Sequence, residues 1–152
     1  MLNQQSPSFE LPATSGKIFQ LENLRGKKVV LFFYPKDSTP GCTTEAQQFR
    51  DLYNEFQAAG CEIFGISRDS LKSHENFKAK QVLPFELLCD AEEVACTLFD
   101  VIKMKNMYGK QVRGIERSTF VVDGGGVLRH AWRGVKVPGH AQEVLEFVKT
   151  CS

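Results

Sequence analysis

The chain alternates between short apolar runs and segments in which apolar residues recur every three or four positions. Its least interrupted run is Val29-Val30-Leu31-Phe32-Phe33-Tyr34. The run has no polar alternation, which predicts a strand buried on both faces, as in the middle of a sheet covered by helices. After Pro35 and a Thr39-Pro40-Gly41 turn, Ala46, Phe49, Tyr53 and Phe56 recur at helical spacing, with Leu52 beside them. This helix is expected to end near Gly60, a residue type suited to the position just past a helix. Residues 61–66 read as a second strand. Strand, helix and strand at this spacing make a βαβ unit with parallel strands.

The same patterns organise the flanks. Residues 8–21 read as a hairpin, with Phe9, Leu11, Ile18, Phe19 and Leu21 around a Thr14-Ser15-Gly16 turn. A second helix starts at Asp69 or Ser70, carries Leu71, His74 and Phe77 on one stripe, and stops before Pro84. Residues 85–89 form a short strand. Asp90 followed by Glu93 suggests a capping box, and Ala91, Val94, Ala95 and Leu98 define the buried face of a short helix that leaves Cys96 off that face and accessible. Residues 100–114 are polar and basic, with Lys103, Lys105, Lys110 and Arg113, and read as a solvated loop; the sharper alternative is a docking surface for a reductant. Residues 115–123 and 127–132 flank Gly124-Gly125-Gly126 as a hairpin. Ala141, Val144, Leu145 and Val148 mark a final amphipathic helix. The order ββ-βαβα-βα-ββα implies an α/β fold with a mixed sheet and helices on both faces.

Composition narrows the function classes. The chain has 152 residues, 42% of them hydrophobic and 24% charged, which fits one globular domain with a core of its own. A net charge of +1 gives no footprint for nucleic acid or anionic membrane. No apolar run approaches a membrane span, and the first residues have neither a basic start nor an apolar core, so no signal peptide is expected. Five cysteines, an odd number at irregular spacing with no C-x-x-C, suit free thiols in a reducing cytoplasm better than a secreted disulfide framework.

One thiol stands apart. If Thr39 is the N-cap, Pro40 falls at the first helical position and Cys42 at the third. Unpaired N–H groups and the helix dipole both favour an anion there, and the thiolate is the nucleophilic form of cysteine. The plain alternative is a small buried apolar residue. By position alone both remain open.

The residues around Cys42 resemble a known signature. Pro35-x-x-x-Thr39-x-x-Cys42 is similar to the active-site motif of the peroxiredoxins. The longer string from Phe33 to Glu45 resembles their bacterioferritin comigratory protein, or peroxiredoxin Q, subfamily. The likeness continues through Ser67-Arg68-Asp69-Ser70, Lys105-Asn106-Met107-Tyr108-Gly109 and residues 114–120, and so covers nearly the whole chain. It implies a thioredoxin-like three-layer fold, one domain over residues 1–152, and a thiol peroxidase acting on hydrogen peroxide and organic hydroperoxides. In that chemistry Cys42 attacks the peroxide and becomes a sulfenic acid. Thr39 would hold peroxide and thiolate, Pro35 would shield the site from water, and Arg117 would stabilise the thiolate and polarise the peroxide. By pattern alone Arg117, alternating with Thr119 and Val121, would be a solvent-facing strand residue. Glu45, one turn after Cys42, is expected to bond to backbone or pair with an arginine, or else to be a surface carboxylate. No cofactor or metal is implied. A zinc site built on Cys89, Cys96 and His74 or His140 matches no standard spacing, and His130 and His140 suit surface or capping roles.

The chain departs from the subfamily in the reducing half of the cycle. The positions that carry a resolving cysteine in relatives are Gln47 and Lys78 here. The inference is a one-Cys enzyme regenerated by an external thiol: thioredoxin, glutaredoxin or glutathione. Cys61 lies past the far end of the helix, roughly 27 Å from Cys42, beyond disulfide reach. Cys89 and Cys96 stay open as internal resolvers, and Cys151, in a C-terminal tail, could pair between molecules. The rival reading is a redox sensor or thiol–disulfide relay on the same scaffold. The subfamily resemblance suggests a monomer or weak dimer.

Overall fold

The computed structural model describes residues 2–151, and for Met107 the backbone alone. The apolar run becomes β3 (Lys28–Phe33), an interior strand of a seven-stranded sheet. Its neighbours are β4 (Cys61–Ser67) on one side and β8 (Ser118–Val122) on the other. β3 and β4 run parallel, with Val30 opposite Ile63, as a βαβ connection requires. β5 (Glu86–Cys89) continues the parallel set, followed outward by β1 (Glu10–Ala13) and β2 (Lys17–Gln20), both antiparallel. β8 pairs antiparallel with β3, and β9 (Leu128–Arg133) closes the other edge. The spatial order is β2-β1-β5-β4-β3-β8-β9.

Helices cover both faces. On one lie α1 (Pro40–Asp51), α2 (Tyr53–Ala58), α3 (Leu71–Gln81) and α5 (His140–Thr150), packing Phe49, Phe56, Phe77, Val144 and Leu145 against Val30, Phe32 and Ile63. On the other, α4 (Val94–Leu98) and the loop after it pack Ala95, Cys96 and Phe99 against Leu31, Phe33 and Phe120. Consecutive β3 side chains thus feed opposite cores, which is why the run had to be apolar throughout. Gly65 of β4 lets the sheet close: a Cβ there would stand 2.8 Å from both Leu87 and Phe32 side chains.

Four local expectations differ from the structure. The long central helix is interrupted at Leu52 (φ −101°, ψ 4°) and resumes as α2, which ends at Ala58, with Gly60 just beyond it at φ +74°. Residues 100–114 are not a loop but largely an antiparallel hairpin, β6 (Ile102–Met107) and β7 (Lys110–Ile115). Tyr108 and Gly109, both at positive φ, form its two-residue turn. That backbone suits such a hairpin, but Tyr-Gly is a weaker signal than Asn-Gly. Its cations are partly neutralised, Lys103 by Asp100 and Arg113 by Glu93. The strand expected over 115–123 breaks at Glu116-Arg117, where the chain leaves β6 and joins β3. Finally, α4 starts late. Glu93 turns at φ +60° and binds Arg68 and Arg113, while the Asp90 carboxylate accepts the Val94 and Cys96 N–H groups. The buried face therefore shifts by one residue: Val94 and Leu98 are exposed and Cys96 is buried. Smaller departures are Ile18 and Leu71, both exposed.

Candidate active site

Cys42 is the third residue of α1, behind Pro40 at the first position and Thr39 at the N-cap. It is 2% exposed. Thr39 caps by backbone only. Its carbonyl accepts the Thr43 N–H, but its hydroxyl turns back to donate to the Lys36 carbonyl at 2.8 Å. The first-turn N–H groups around Cys42 therefore receive nothing from a Thr39 side-chain cap, and the helix end keeps its preference for an anion.

Arg117 reaches this end from the break between β7 and β8. Its Nη2 donates to Cys42 Sγ at 3.4 Å and its Nη1 to Glu45 Oε1 at 2.7 Å. The side chain does not take the outward position that strand alternation alone suggests, because Arg117 precedes the strand and its carbonyl accepts the Val135 N–H. Gly41 gives the guanidinium its room, since a Cβ there would lie 3.2 Å from Nη2. Although burial opposes its charge, Glu45 and Cys42 beside Arg117 hold its pKa above the ordinary guanidinium value.

Glu45 is no surface carboxylate. It is 1% exposed, and Oε2 is buried with no hydrogen-bond partner. Burial pushes its pKa up to about 7, against the pull of Arg117. Lys105, from the hairpin, is a further cation near the site. Its ammonium donates to the Ile115 carbonyl, and burial, then Arg117, lowers its pKa while the Cys42 sulfur opposes the shift. Pro35 lies half-buried in the turn between β3 and α1.

The other thiols have different surroundings. Cys61 is 1% exposed, and burial followed by the Glu62 charge pushes its thiol up to about 12. Cys96 is fully buried rather than accessible, and burial, then the Asp90 carboxylate, raises its pKa. Cys151 caps α5 and is 7% exposed, a poor position for pairing between molecules. Cys89 is half-buried. Nor do the histidines sit where a surface or capping role would put them in every case. His140 is buried, its Nε2 is 2.8 Å from Thr119 Oγ1, and burial lowers its pKa. His74 is buried as well, against Asp37. His130 stacks between Trp132 and Phe147.

Cys42 and Arg117, both expected at one site, lie 3.4 Å apart, and Glu45 takes one of its expected roles by pairing with Arg117. Lys105, Asp37 and His74 are further neighbours that no local pattern marks. Lys105 lay in a stretch read as loop, and His74 was one of several residues on a helical stripe.

A thiol at a helix N-terminus beside a half-buried arginine, on a thioredoxin-like sheet, is an arrangement suited to thiol-dependent peroxide reduction. The comparisons with known proteins agree. Residues 2–131 match the AhpC/TSA family. Peroxiredoxin Bcp of Xanthomonas campestris is 52% identical over 151 residues, covering 98% of this chain and 94% of that one. Peroxiredoxin Bcp of Bacillus subtilis is 46% identical over 151 residues, covering 99% and 96%. A structure of the Xanthomonas campestris bacterioferritin comigratory protein superposes with a TM-score of 0.89 at 53% identity, over 93% of this chain and 90% of that one. The chain belongs to the AhpC/TSA family, in its Bcp, or peroxiredoxin Q, group of peroxiredoxins.

Proposed function

We propose that the chain is one peroxiredoxin domain that reduces hydrogen peroxide and organic hydroperoxides through Cys42, in a one-Cys cycle closed by an external thiol. The observation that supports this most is the pairing of Cys42 Sγ with Arg117 Nη2 at 3.4 Å at a helix N-terminus. The Cys42 thiolate attacks one peroxide oxygen, the O–O bond breaks, and the departing oxygen takes a proton and leaves as water or alcohol. Cys42 is left as a sulfenic acid. Arg117 faces the charge that develops on the departing oxygen. Thr39, its proton committed to Lys36, offers lone pairs toward the peroxide, and Pro35 keeps water out. The Xanthomonas campestris relative is described for alkyl peroxide reduction, which supports the organic hydroperoxides as substrates.

The one-Cys reading rests on Gln47 and Lys78 at the two resolver positions and on burial of Cys61, Cys96 and Cys151. A thiol such as thioredoxin, glutaredoxin or glutathione would attack the sulfenic acid, release water, and be displaced by a second thiol. We take the setting to be the cytoplasm, the state a monomer or weak dimer, and the partners to exclude nucleic acid and membrane; no helix among the described residues is long and apolar enough to cross a bilayer. The test is intact mass under non-reducing conditions after one equivalent of hydrogen peroxide, with and without a sulfenic-acid trap. A trapped adduct at Cys42 without a disulfide supports the cycle. Loss of two protons mapped to Cys42 and Cys89 overturns the one-Cys part, and no reaction at Cys42 overturns the whole.

A further inference from the structure

Residues 35–39 carry Pro35 and Thr39, yet they belong to neither strand nor helix. Pro35 has no N–H to give, and Ser38 sits at φ +62°, a region that non-glycine residues rarely occupy unless their surroundings hold them there. Something else must fix this turn. The side chain and backbone of Asp37, itself 5% exposed, do most of it. Its Oδ1 accepts the Tyr34 hydroxyl at 2.6 Å, and its Oδ2 accepts Ser73 Oγ at 2.8 Å and lies 2.7 Å from His74 Nδ1. Its own N–H donates to Asp69 Oδ2 at 2.9 Å, and Asp69 accepts Ser67 Oγ there too.

His74 settles the proton count. Its Nε2 is 2.9 Å from the Leu88 carbonyl oxygen, which can only accept, so Nε2 carries a hydrogen. Nδ1 then faces a carboxylate oxygen across 2.7 Å. Two lone pairs cannot face each other at that distance between side chains 0% and 2% exposed, so one proton lies between them. The carboxylate already accepts two hydroxyl groups, which favours its charged form. A neutral His74 would require a protonated Asp37 that still accepted both hydroxyls.

We propose that Asp37 and His74 form a buried carboxylate–imidazolium pair that positions the Pro35–Thr39 turn for the Cys42 reaction. The pair ties the turn to α3 and, through Leu88, to β5. Fixing Asp37 fixes the preceding Lys36 carbonyl, and that carbonyl is what the Thr39 hydroxyl donates to. The orientation of Thr39 is therefore set by two residues that do not touch Cys42. These are positioning residues, and their proposed role rests on the peroxidase reading of Cys42.

Two measurements test this. Long-range nitrogen–proton correlation of the intact, reduced protein at neutral pH reads the His74 ring directly, whatever Cys42 does. Protons on both ring nitrogens are expected; a neutral ring with a single N–H overturns the ion pair. The second compares the rates of Cys42 oxidation by hydrogen peroxide and of its alkylation by iodoacetamide in Asp37→Asn. Peroxide reduction needs the placed turn and should fall about tenfold or more, while alkylation, which needs only the thiolate, holds or rises. Rates that fall together, or that both stay at the wild-type level, overturn the positioning role. A wild-type protein inert to peroxide would instead overturn the peroxidase reading and leave the ring measurement standing.

Discussion

Cys42 and Cys96 are equally hidden from water, at 2% and 0% exposure, yet they sit in opposite fields. Cys42 has a guanidinium at 3.4 Å and the start of a helix around it. Cys96 has the Asp90 carboxylate beside it, which with burial raises its pKa. Cys61 repeats the Cys96 pattern with Glu62, and its thiol rises to about 12. Three buried thiols thus differ in the charge beside them: a guanidinium for Cys42, carboxylates for Cys96 and Cys61. An interior gives such charges more weight than water would.

The comparison breaks first at Cys42. Cys42→Ser should abolish peroxide consumption in a thiol-coupled assay, while Cys61→Ser, Cys89→Ser and Cys151→Ser keep it near the wild-type rate. Activity surviving in Cys42→Ser would move the chemistry to another thiol. Next is the cation. Arg117→Ala should slow Cys42 oxidation by about 10²-fold or more, in the range seen when one donor to a developing oxyanion is lost. Arg117→Lys should recover only part of this, since one ammonium cannot serve Sγ and Glu45 with the fork of a guanidinium. Stopped-flow oxidation rates equal to wild type in Arg117→Ala would place Arg117 outside the site.

Gly41→Ala gives a smaller and more specific effect. The new Cβ would stand 3.2 Å from Arg117 Nη2. Gly41 has ordinary helical backbone in the first turn of α1, where alanine fits at least as well, so thermal stability should hold. The guanidinium must nevertheless shift by a few tenths of an ångström, and peroxide reduction should fall several-fold. Full activity in a stable Gly41→Ala protein would show that the Arg117–Cys42 contact tolerates displacement.

How much of this was legible in the chain depends on the range of the interaction. β3, the parallel βαβ unit and the inward stripe of α5 follow from local periodicity, and all appear where the pattern puts them. The thiol at the third position of α1 follows from Thr39-Pro40-Gly41. What failed depended on partners distant in sequence. Lys110 to Arg113 of β7 are exposed on both faces, so the hairpin shows little apolar alternation, and its turn is Tyr-Gly. The α4 face shifted because Asp90 caps N–H groups four and six residues on rather than three. Burial of Glu45 needed Arg117, 72 positions away, and the Asp37–His74 contact spans 37. No window of sequence contains either pair.

Glu45 yields the subtlest test, because it sits between the two fields. Burial holds its pKa near 7 rather than the ordinary 4.5, against the opposing pull of Arg117. A group whose folded pKa is raised binds its proton more tightly in the folded state. Its stabilising share is complete below about pH 4.5 and is lost as pH rises through about 7, by roughly 3 kcal/mol at most. Glu45→Gln keeps an oxygen for Arg117 and removes the titration. Its unfolding free energy, from denaturant melts at pH 4.5, 6 and 8, should therefore gain on wild type as pH rises. The charge has a second consequence at the thiol. Above pH 7 an ionised Glu45 cancels part of the Arg117 field that Cys42 feels, and glutamine does not. Glu45→Gln should accordingly gain on wild type in the rate of Cys42 oxidation as pH rises above 7. Parallel stability curves with superimposable rate profiles would mean that Glu45 stays in one protonation state throughout, and that Arg117 acts on Cys42 without a counterweight.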